Sequence, residues 1–297
     1  MQKEGSLYMK KKHHSYQTRQ YMLSKYYEIF HYSDTYIEHV NLHHHDFFEC
    51  YFFISGDVTY LTEGKTYSLK PGDIILINST ELHQAIINSH KVPYERIVLW
   101  INKSFLKNLS TDKTNLAKCF EDPNKETVIR VSFEMQQNIK SILQKIIAFE
   151  NYKGIGSDLL YKAYIIELLV NMNMLLYNNN DKLDVDIKKN NLIDEIIQYI
   201  NNHIDEEITI DKLSEQFYIS KYHLLREFKK YSGTTLHKYI VQKKLIQAKY
   251  LILTGLPIIT VYEQCGFGDY SNFFRAFKTQ YGVTPKHFYE IMRKNTN

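Results

Sequence analysis

The sequence predicts an α+β protein of two domains: an N-terminal β-barrel or sandwich that carries a helical hairpin, and a C-terminal domain made only of helices. Three observations predict this arrangement. Short apolar stretches separated by turn residues fill residues 21–101, helical periodicity begins near residue 132, and a polar segment at residues 178–191 divides the helices into two sets. With 297 residues, of which 44% are hydrophobic, the chain is long and apolar enough to bury two cores.

The apolar stretches of the first domain are spaced roughly 8 to 12 residues apart, which is typical of all-β barrels and sandwiches. Turn signals such as Lys70-Pro71-Gly72-Asp73 separate the stretches from one another. We therefore expect short strands at residues 49–54, 59–61, 66–69, 74–77, 85–87 and 96–101.

Two helices follow the strands and are expected to form an antiparallel hairpin. Ser132 is an N-cap candidate for the first helix, and Gly154 and Gly156 end it. Ser157 opens the second helix, which is expected at residues 159–177.

The second helix of the hairpin is apolar around nearly its whole circumference. One interpretation is that a partner subunit covers outward residues such as Leu169, which makes the protein a homodimer. The other is that the helix is buried within its own chain.

Composition excludes several classes of protein. The three cysteines, Cys50, Cys119 and Cys265, lie far apart and form no Cys-x-x-Cys pair, which argues against a disulfide framework and a cysteine zinc site. The first 20 residues carry a basic cluster, Lys10 to His14, without a following apolar segment, and we read them as a disordered tail or an arm that reports ligand occupancy. No uninterrupted apolar run approaches 18 residues, so we expect a cytoplasmic protein without a membrane partner.

Charge is distributed unevenly along the chain. Residues 1–186 hold 21 basic and 22 acidic residues, whereas residues 212–297 hold 14 basic and 5 acidic residues, a net charge of +9. A basic domain of this kind suits a polyanion, because neutralised phosphates release condensed counterions. A solvated lysine-rich surface is the simpler alternative.

One motif occurs twice in the basic domain. Residues 219–233 and 267–282 both contain Arg-x-Phe-Lys followed by an aromatic residue and Gly, and Ser220 and Asp269 are the N-cap candidates of the two copies. In each copy a short helix leads through a tight turn into a second helix, which predicts a tandem helix-turn-helix. The helices of this domain are expected at residues 192–203, 210–217, 221–231, 236–253, 258–265, 270–281 and 285–292.

The second helix of each motif is the candidate for the DNA major groove. Its predicted core residues are Leu224 and Phe228 in the first copy and Phe273, Phe274 and Phe277 in the second. Arg226, Arg275 and Asn272 are the candidates for base contacts, since Arg reads guanine and Asn reads adenine; contacts with solvent or phosphate are the alternative. The full set of candidate DNA-binding residues is Ser220, Lys221, Tyr222, Leu225, Arg226, Tyr270, Ser271, Asn272 and Arg275.

The helix at residues 236–253 has 18 residues, or roughly 27 Å at about 1.5 Å per residue. It can serve as a rigid strut that places the two recognition helices in successive major grooves, about 34 Å apart.

The segment from Leu192 to Tyr289 resembles the DNA-binding domain of the AraC/XylS family of bacterial transcription regulators. The resemblance implies double-stranded DNA, RNA polymerase and a small-molecule effector as partners. Lys244, Ser214 and Tyr262 depart from the residues usual in the family. The matching elements are Ile219-Ser220, Leu224, Arg226, Phe228-Lys229, Tyr231-x-Gly233, Tyr239-Ile240, Leu245-x-x-Ala248, Gly266-Phe267-x-Asp269-x-x-x-Phe273-x-Arg275-x-Phe277-Lys278 and Gly282-x-x-Pro285.

The pattern His43-x-His45-x3-Glu49-x6-Gly56, followed by His83, resembles the metal-ligand pattern of cupin barrels. It implies that these three histidines and Glu49 hold a first-row divalent metal. The alternative is a barrel without any cofactor, in which the same side chains form a hydrogen-bonded interior or a pocket whose effector-binding residues are His43, His45, Glu49, Tyr51 and His83.

Together these features predict a cupin-like sensor barrel joined to a tandem helix-turn-helix, that is, a ligand-responsive transcription regulator with no catalytic residues. Its effector is a small polar molecule, with sugars among the suitable ones. The alternative is a metal-dependent cupin enzyme with an accessory basic domain. The expected division is a tail at 1–20, the barrel at 21–130, the hairpin at 131–177, a linker at 178–191 and the DNA-binding domain at 192–297.

Overall fold

A computed structural model describes residues 19–37, 40–150, 152, 154–177 and 181–296, with side chains to residue 291. The predicted N-terminal arm, Lys10 to His14, lies outside the described residues, as do the first residues of the predicted linker. The chain divides into two compact units: one runs to Ile187, and the other runs from Lys188 onward and includes the turn Glu63–Thr66.

The strands form two sheets, and most of their residues belong to the first unit. The strands are β1 (Tyr27–Asp34), β2 (Phe48–Ser55), β3 (Asp57–Thr62), β4 (Lys65–Ser68), β5 (Ile74–Ile77), β6 (His83–Ser89), β7 (Tyr94–Ile101), β8 (Val128–Val131), β9 (Lys182–Leu183) and β10 (Ile187–Lys188). One sheet has the order β1-β7-β2-β5-β8-β9 and the other has the order β10-β4-β3-β6. Strand β7 lies between β1 and β2 and pairs antiparallel with both.

Strand β2 shows how the sequence pattern builds this unit. Side chains alternate between the two faces of a strand. Tyr51 and Phe53 therefore lie in the cluster between the sheets, whereas Phe48, Cys50 and Phe52 lie in a second cluster shared with helices. Because both faces are covered, the strand is apolar nearly throughout.

Helices cover the outer face of the larger sheet. They are α1 (Lys103–Leu109), α2 (Lys118–Glu121), α3 (Phe133–Phe149) and α4 (Ser157–Tyr177). The side chain of Ser132 accepts a hydrogen bond from the backbone nitrogen of Met135, which confirms the predicted N-cap of α3. Helices α3 and α4 pack against each other, as the hairpin prediction requires, and α4 begins at Ser157 itself.

By length and composition alone, helix α4 could cross a membrane. A third of the 18-residue apolar stretch that meets this criterion is buried inside the protein. Its inner face packs in the core of the chain through residues including Ile165, Leu168 and Leu169. The expectation that Leu169 faces outward is therefore wrong, because its side chain is 0% exposed. The outward apolar residues of α4 are Leu159, Met174 and Tyr177, which are 64%, 60% and 71% exposed.

The segment interpreted as a linker is partly structured, since it contains β9 and β10. The guanidinium of Arg130 explains how part of it is held: it donates to both carboxylate oxygens of Asp73 at 2.8 and 2.9 Å and to the carbonyl of Asp184 at 2.9 Å. A strand of two residues is too short to show apolar periodicity, so β9 and β10 could not be predicted from this polar segment.

The second unit is helical over residues 191–296, with α5 (Asn191–Asn202), α6 (Ile210–Gln216), α7 (Lys221–Ser232), α8 (Leu236–Leu253), α9 (Ile258–Gln264), α10 (Tyr270–Tyr281) and α11 (Pro285–Thr296). Helices α8 to α11 share a buried cluster that includes Ala248, Val261, Phe273 and Phe277. The predicted fold class, an N-terminal β-domain with a helical hairpin and an all-α C-terminal domain, is confirmed.

Candidate functional site

The repeated motif of the C-terminal domain corresponds to the helix pairs α6–α7 and α9–α10. Both predicted N-caps are confirmed: Ser220 accepts from the backbone nitrogen of His223 at 3.3 Å, and Asp269 accepts from that of Ser271 at 2.9 Å. Both recognition helices end at a glycine in the left-handed region, with φ of 72° at Gly233 and 74° at Gly282. This conformation disfavours side chains, which explains the glycine at the end of each repeat.

Helix α7 has the orientation that the sequence predicts. Leu224 and Phe228 are fully buried. Arg226 lies on the opposite side, where it approaches the Nδ1 of His223 at 3.3 Å and the ring of Tyr222 at 5.8 Å. Sequence reasoning missed His223, although it stands three residues before Arg226, on the same face of the helix. The predicted residues that the structure places on the exposed surface of this motif are Ser220, Lys221, Tyr222, Leu225 and Arg226.

Helix α10 presents a matching surface. Phe273 and Phe277 are fully buried as predicted. Phe274 is only half-buried, and the expectation that it belongs to the core is corrected, because its position on the helix turns it away from those two residues. The predicted residues that lie exposed on this helix are Tyr270, Ser271, Asn272 and Arg275.

Tyr262, one of the departures from the family pattern, supports the start of α10. Its ring lies 5.6 Å from that of Tyr270 in an edge-on arrangement and 6.4 Å from that of Phe273. Such aromatic contacts add to the stabilisation from burial. The large side chain therefore packs against the first turn of the recognition helix.

Lys244, the second departure, connects two loops of the C-terminal domain. Its ammonium group donates to the carbonyl oxygens of Glu206, at 2.8 Å, and of Gly266. Burial lowers the pKa of this lysine. Gly266 is needed at this point, because a Cβ on it would lie 2.2 Å from the carbonyl oxygen of Glu206, and its φ is +62°.

The N-terminal unit encloses a cavity of about 170 Å³ between its sheets. All five residues predicted to bind an effector lie in its wall: His43, His45, Glu49, Tyr51 and His83. Its other lining residues include Arg19, Tyr32, Tyr60, Tyr94, Arg96 and Trp100.

Three of the four predicted metal ligands come together in this wall. His45, Glu49 and His83 each offer one ligand atom, and these atoms all lie within 4.8 Å of one another. His43 lies outside that group; its backbone forms a bridge with His83, with N···O distances of 3.1 and 3.0 Å. Neither His43 nor His45 lies within a strand, because only this single bridge forms there.

Hydrogen bonds to the backbone orient two of the histidines. The Nδ1 of His45 lies 2.8 Å from the carbonyl oxygen of Phe47, and the Nδ1 of His83 lies 3.1 Å from that of Glu81. A carbonyl oxygen only accepts, so each Nδ1 carries a proton, and in the neutral ring the lone pair then lies on Nε2.

Electrostatics in the cavity favour neutral rings at His83 and His43 and a charged carboxylate at Glu49. Burial and the neighbouring histidines lower the pKa of His83 well below its usual value, and they also lower that of His43. Burial raises the pKa of Glu49, but its contacts with His45 and Trp100 outweigh this and lower it overall. Trp100 donates through Nε1 to the Oε2 of Glu49 at 2.8 Å.

Sequence reasoning missed the contribution of β7 to the cavity. Tyr94, Arg96 and Trp100 all lie in its wall. They are an even number of positions apart, so the alternation of side chains along a strand could have predicted that they share one face. Arg96 is 2% exposed, forms an ion pair with Asp34 and donates to the backbone carbonyl of Tyr94 at 3.0 Å. The hydroxyl of Tyr51 donates to that of Tyr94 at 2.5 Å.

Two family models match the chain. The AraC-like ligand binding domain matches residues 26–169, and a helix-turn-helix domain matches residues 213–291. The HTH-type transcriptional activator RhaS of Mannheimia succiniciproducens is 25% identical over 247 residues, which cover 82% of this chain and 87% of the relative. The protein of the same name from Salmonella paratyphi A is 21% identical over 252 residues, which cover 82% and 85%.

Two solved structures are similar to parts or most of the chain. The C-terminal domain of the two-component response regulator yesN from Fusobacterium nucleatum is 33% identical, with a TM-score of 0.33, and the match covers 34% of this chain and 99% of that one. ToxT from Vibrio cholerae is 16% identical, with a TM-score of 0.38, and the match covers 90% and 98%. From the two family models and the regulators it resembles along its length, the chain belongs to the AraC/XylS family of DNA-binding transcription regulators.

Proposed function

We propose that this regulator is a cytoplasmic homodimer that binds a small polar effector, such as a sugar, in its barrel and recruits or blocks RNA polymerase at promoters. The barrel senses its ligand and catalyses no reaction. The observation that carries the proposal is the pairing, in one chain, of a lined cavity with two exposed recognition helices.

The cavity favours a small polar ligand. Its volume of about 170 Å³ is below the roughly 300–1,000 Å³ of sites for drug-sized molecules. Its wall contains both aromatic rings, such as Tyr51, Tyr60 and Trp100, and charged groups, such as Glu49 and Arg96. A sugar fits this chemistry, because its apolar ring faces pack on aromatic rings while its hydroxyls reach charged acceptors and donors.

The exposed side chains of α7 and α10 support the proposal that the C-terminal domain recognises a DNA sequence. The exposed side chains at the start of α7 and α10 include Arg226, Asn272 and Arg275, which are the residue types that hydrogen-bond to base edges in the major groove. The net charge of +9 over residues 212–297 supplies attraction to phosphates.

The outer face of α4 supports the homodimer. Leu159, Met174 and Tyr177 are exposed large apolar side chains on a helix whose inner face packs in the core of its own chain. A second copy of the helix would remove this apolar area from water, which stabilises association by about 25 cal/mol per Å².

The test is binding of the purified full chain to its promoter DNA across a panel of monosaccharides and related polar compounds. We expect one compound to change the DNA affinity or the yield of transcripts made by RNA polymerase. Ala85→Leu, which fills the cavity, should abolish that response while DNA binding persists; Ile86→Leu, on the neighbouring exposed residue, is the matched control. A response that survives Ala85→Leu would show that the effector binds elsewhere.

A further inference from the structure

We propose that the barrel holds one first-row divalent metal ion, bound by the Nε2 atoms of His45 and His83 and by the carboxylate of Glu49. This site goes beyond the proposed function, because it stands whether or not an organic effector enters the cavity. It also differs from the sequence-based expectation, since His43 is not among its ligands.

The first argument is the orientation of the imidazole rings. The backbone carbonyls of Phe47 and Glu81 hold the Nδ1 protons of His45 and His83, which leaves a lone pair on each Nε2. Metal-binding histidines are commonly fixed in this way, with the second ring nitrogen donating to a carbonyl. Both rings are therefore in the tautomer that a metal requires.

The second argument is that these lone pairs have nothing to satisfy them. His45, His83 and Glu49 are 2%, 2% and 7% exposed. Among the described residues, neither Nε2 has a hydrogen-bond partner, and that of His45 lies 3.4 Å from the Oε2 of Glu49 without the geometry of a hydrogen bond. Buried polar atoms without partners are costly, and a cation between the three groups would remove that cost.

The third argument concerns the carboxylate. Trp100 donates to the Oε2 of Glu49 at 2.8 Å, which fixes the side chain toward the histidines. A group outside the ligand set that orients a ligand is a regular feature of metal sites. Two imidazoles and one carboxylate suit zinc, iron, cobalt or nickel better than calcium or magnesium, which prefer oxygen ligands only.

Three protein ligands leave coordination positions open. Since all three residues line the cavity, those positions are available to a water molecule or to an oxygen atom of a small molecule. The wall around them contains Tyr51, Tyr94 and Arg96. A bound metal therefore selects for a ligand with an oxygen donor.

The test uses the full chain, stripped of metal with a chelator and titrated with Co²⁺, whose bound form absorbs visible light. His13→Gln and His14→Gln are present throughout, so that the N-terminal histidines contribute nothing. We expect one Co²⁺ per chain, displaced by Zn²⁺. His45→Gln and His83→Gln should abolish binding, whereas His44→Gln, which replaces an adjacent buried histidine, should retain it.

Trp100→Phe keeps all three ligands and removes only the hydrogen bond to Glu49, so its Co²⁺ affinity should fall by about 10- to 100-fold. Thermal unfolding of each variant identifies any that fail to fold, and a rise in the melting temperature of the parent chain with Zn²⁺ tests the proposal without them. If the parent chain shows neither the Co²⁺ spectrum nor that rise in melting temperature, the proposed metal site is wrong. It is also wrong if His44→Gln folds but loses Co²⁺ binding as completely as His45→Gln and His83→Gln do. DNA binding by the same samples separates this outcome from failure of the regulator.

Discussion

Arg275 donates a hydrogen bond from Nη2 to the Oδ1 of Asn272 at 2.7 Å, one turn earlier on α10. Its Nε lies 3.3 Å from the backbone carbonyl of Ser271. The two residues that best fit base recognition on this helix are thus joined before DNA arrives. Because they share a hydrogen bond, they are expected to act as one recognition unit.

We therefore expect Asn272→Ala and Arg275→Ala each to cost about 1–3 kcal/mol of binding to the cognate DNA site. The double variant should cost less than the sum of the two, with a coupling of about 0.5–3 kcal/mol. A double-mutant cycle of dissociation constants measures this, with Thr279→Ala on the same helix as the control. Strict additivity would mean that the two side chains contact DNA independently.

Arg226 on α7 gives the second prediction. Its side chain is 56% exposed beside Tyr222, so it is available to base edges. Arg226→Ala should lose roughly 1–3 kcal/mol on the cognate site and less on random DNA, because base contacts specify a sequence whereas phosphate contacts only position the protein. Lys229→Ala should weaken both DNAs alike. If Arg226→Ala also weakened both equally, Arg226 would be a phosphate contact.

Lys244 gives a prediction about stability. Lys244→Met removes the donor that serves the carbonyls of Glu206 and Gly266. A hydrogen bond to a charged group contributes about 1.5–3 kcal/mol, so the C-terminal unit should unfold at a lower denaturant concentration. Lys238→Met, at an exposed position of the same helix, is the control. Equal midpoints for the two variants would show that Lys244 contributes no net stability.

Helix α4 gives a prediction about assembly that depends on which face is mutated. Leu169→Glu places an unpaired charge in the core and should destabilise the sensor domain by several kcal/mol. Met174→Glu changes an exposed side chain, so the fold should survive while sedimentation shows monomers. A monomeric wild-type chain at working concentration would make the dimer proposal wrong.

Much of the fold could be predicted because the signals are local. The bounds expected for β5, residues 74–77, and for α8, residues 236–253, are those of the structure. Turn residues or caps stand at both ends of each element. The orientation of α7 followed from Leu224 and Phe228, which are four residues apart and both buried.

The remaining features depend on contacts between distant residues. Trp100 and Glu49 are 51 positions apart, and only the pairing of β2 with β7 brings them together. The exclusion of His43 from the ligand group likewise depends on positions in three dimensions: His43 pairs with His83 in an isolated bridge, but it is not part of the group of ligand atoms within 4.8 Å of one another. Leu169 was placed on the wrong face because α4 is apolar nearly all round, and such a helix has no periodicity that separates its inner side from its outer side.

The proposal that α7 and α10 both read bases is tested by sequencing the genomic DNA that the purified full chain retains at moderate salt. It predicts a single enriched sequence with two short conserved blocks whose centres lie about 34 Å, or one helical turn, apart. Arg226→Ala should relax one block and Arg275→Ala the other. Retained DNA with the same composition as the input, or one block lost equally in both variants, would contradict it.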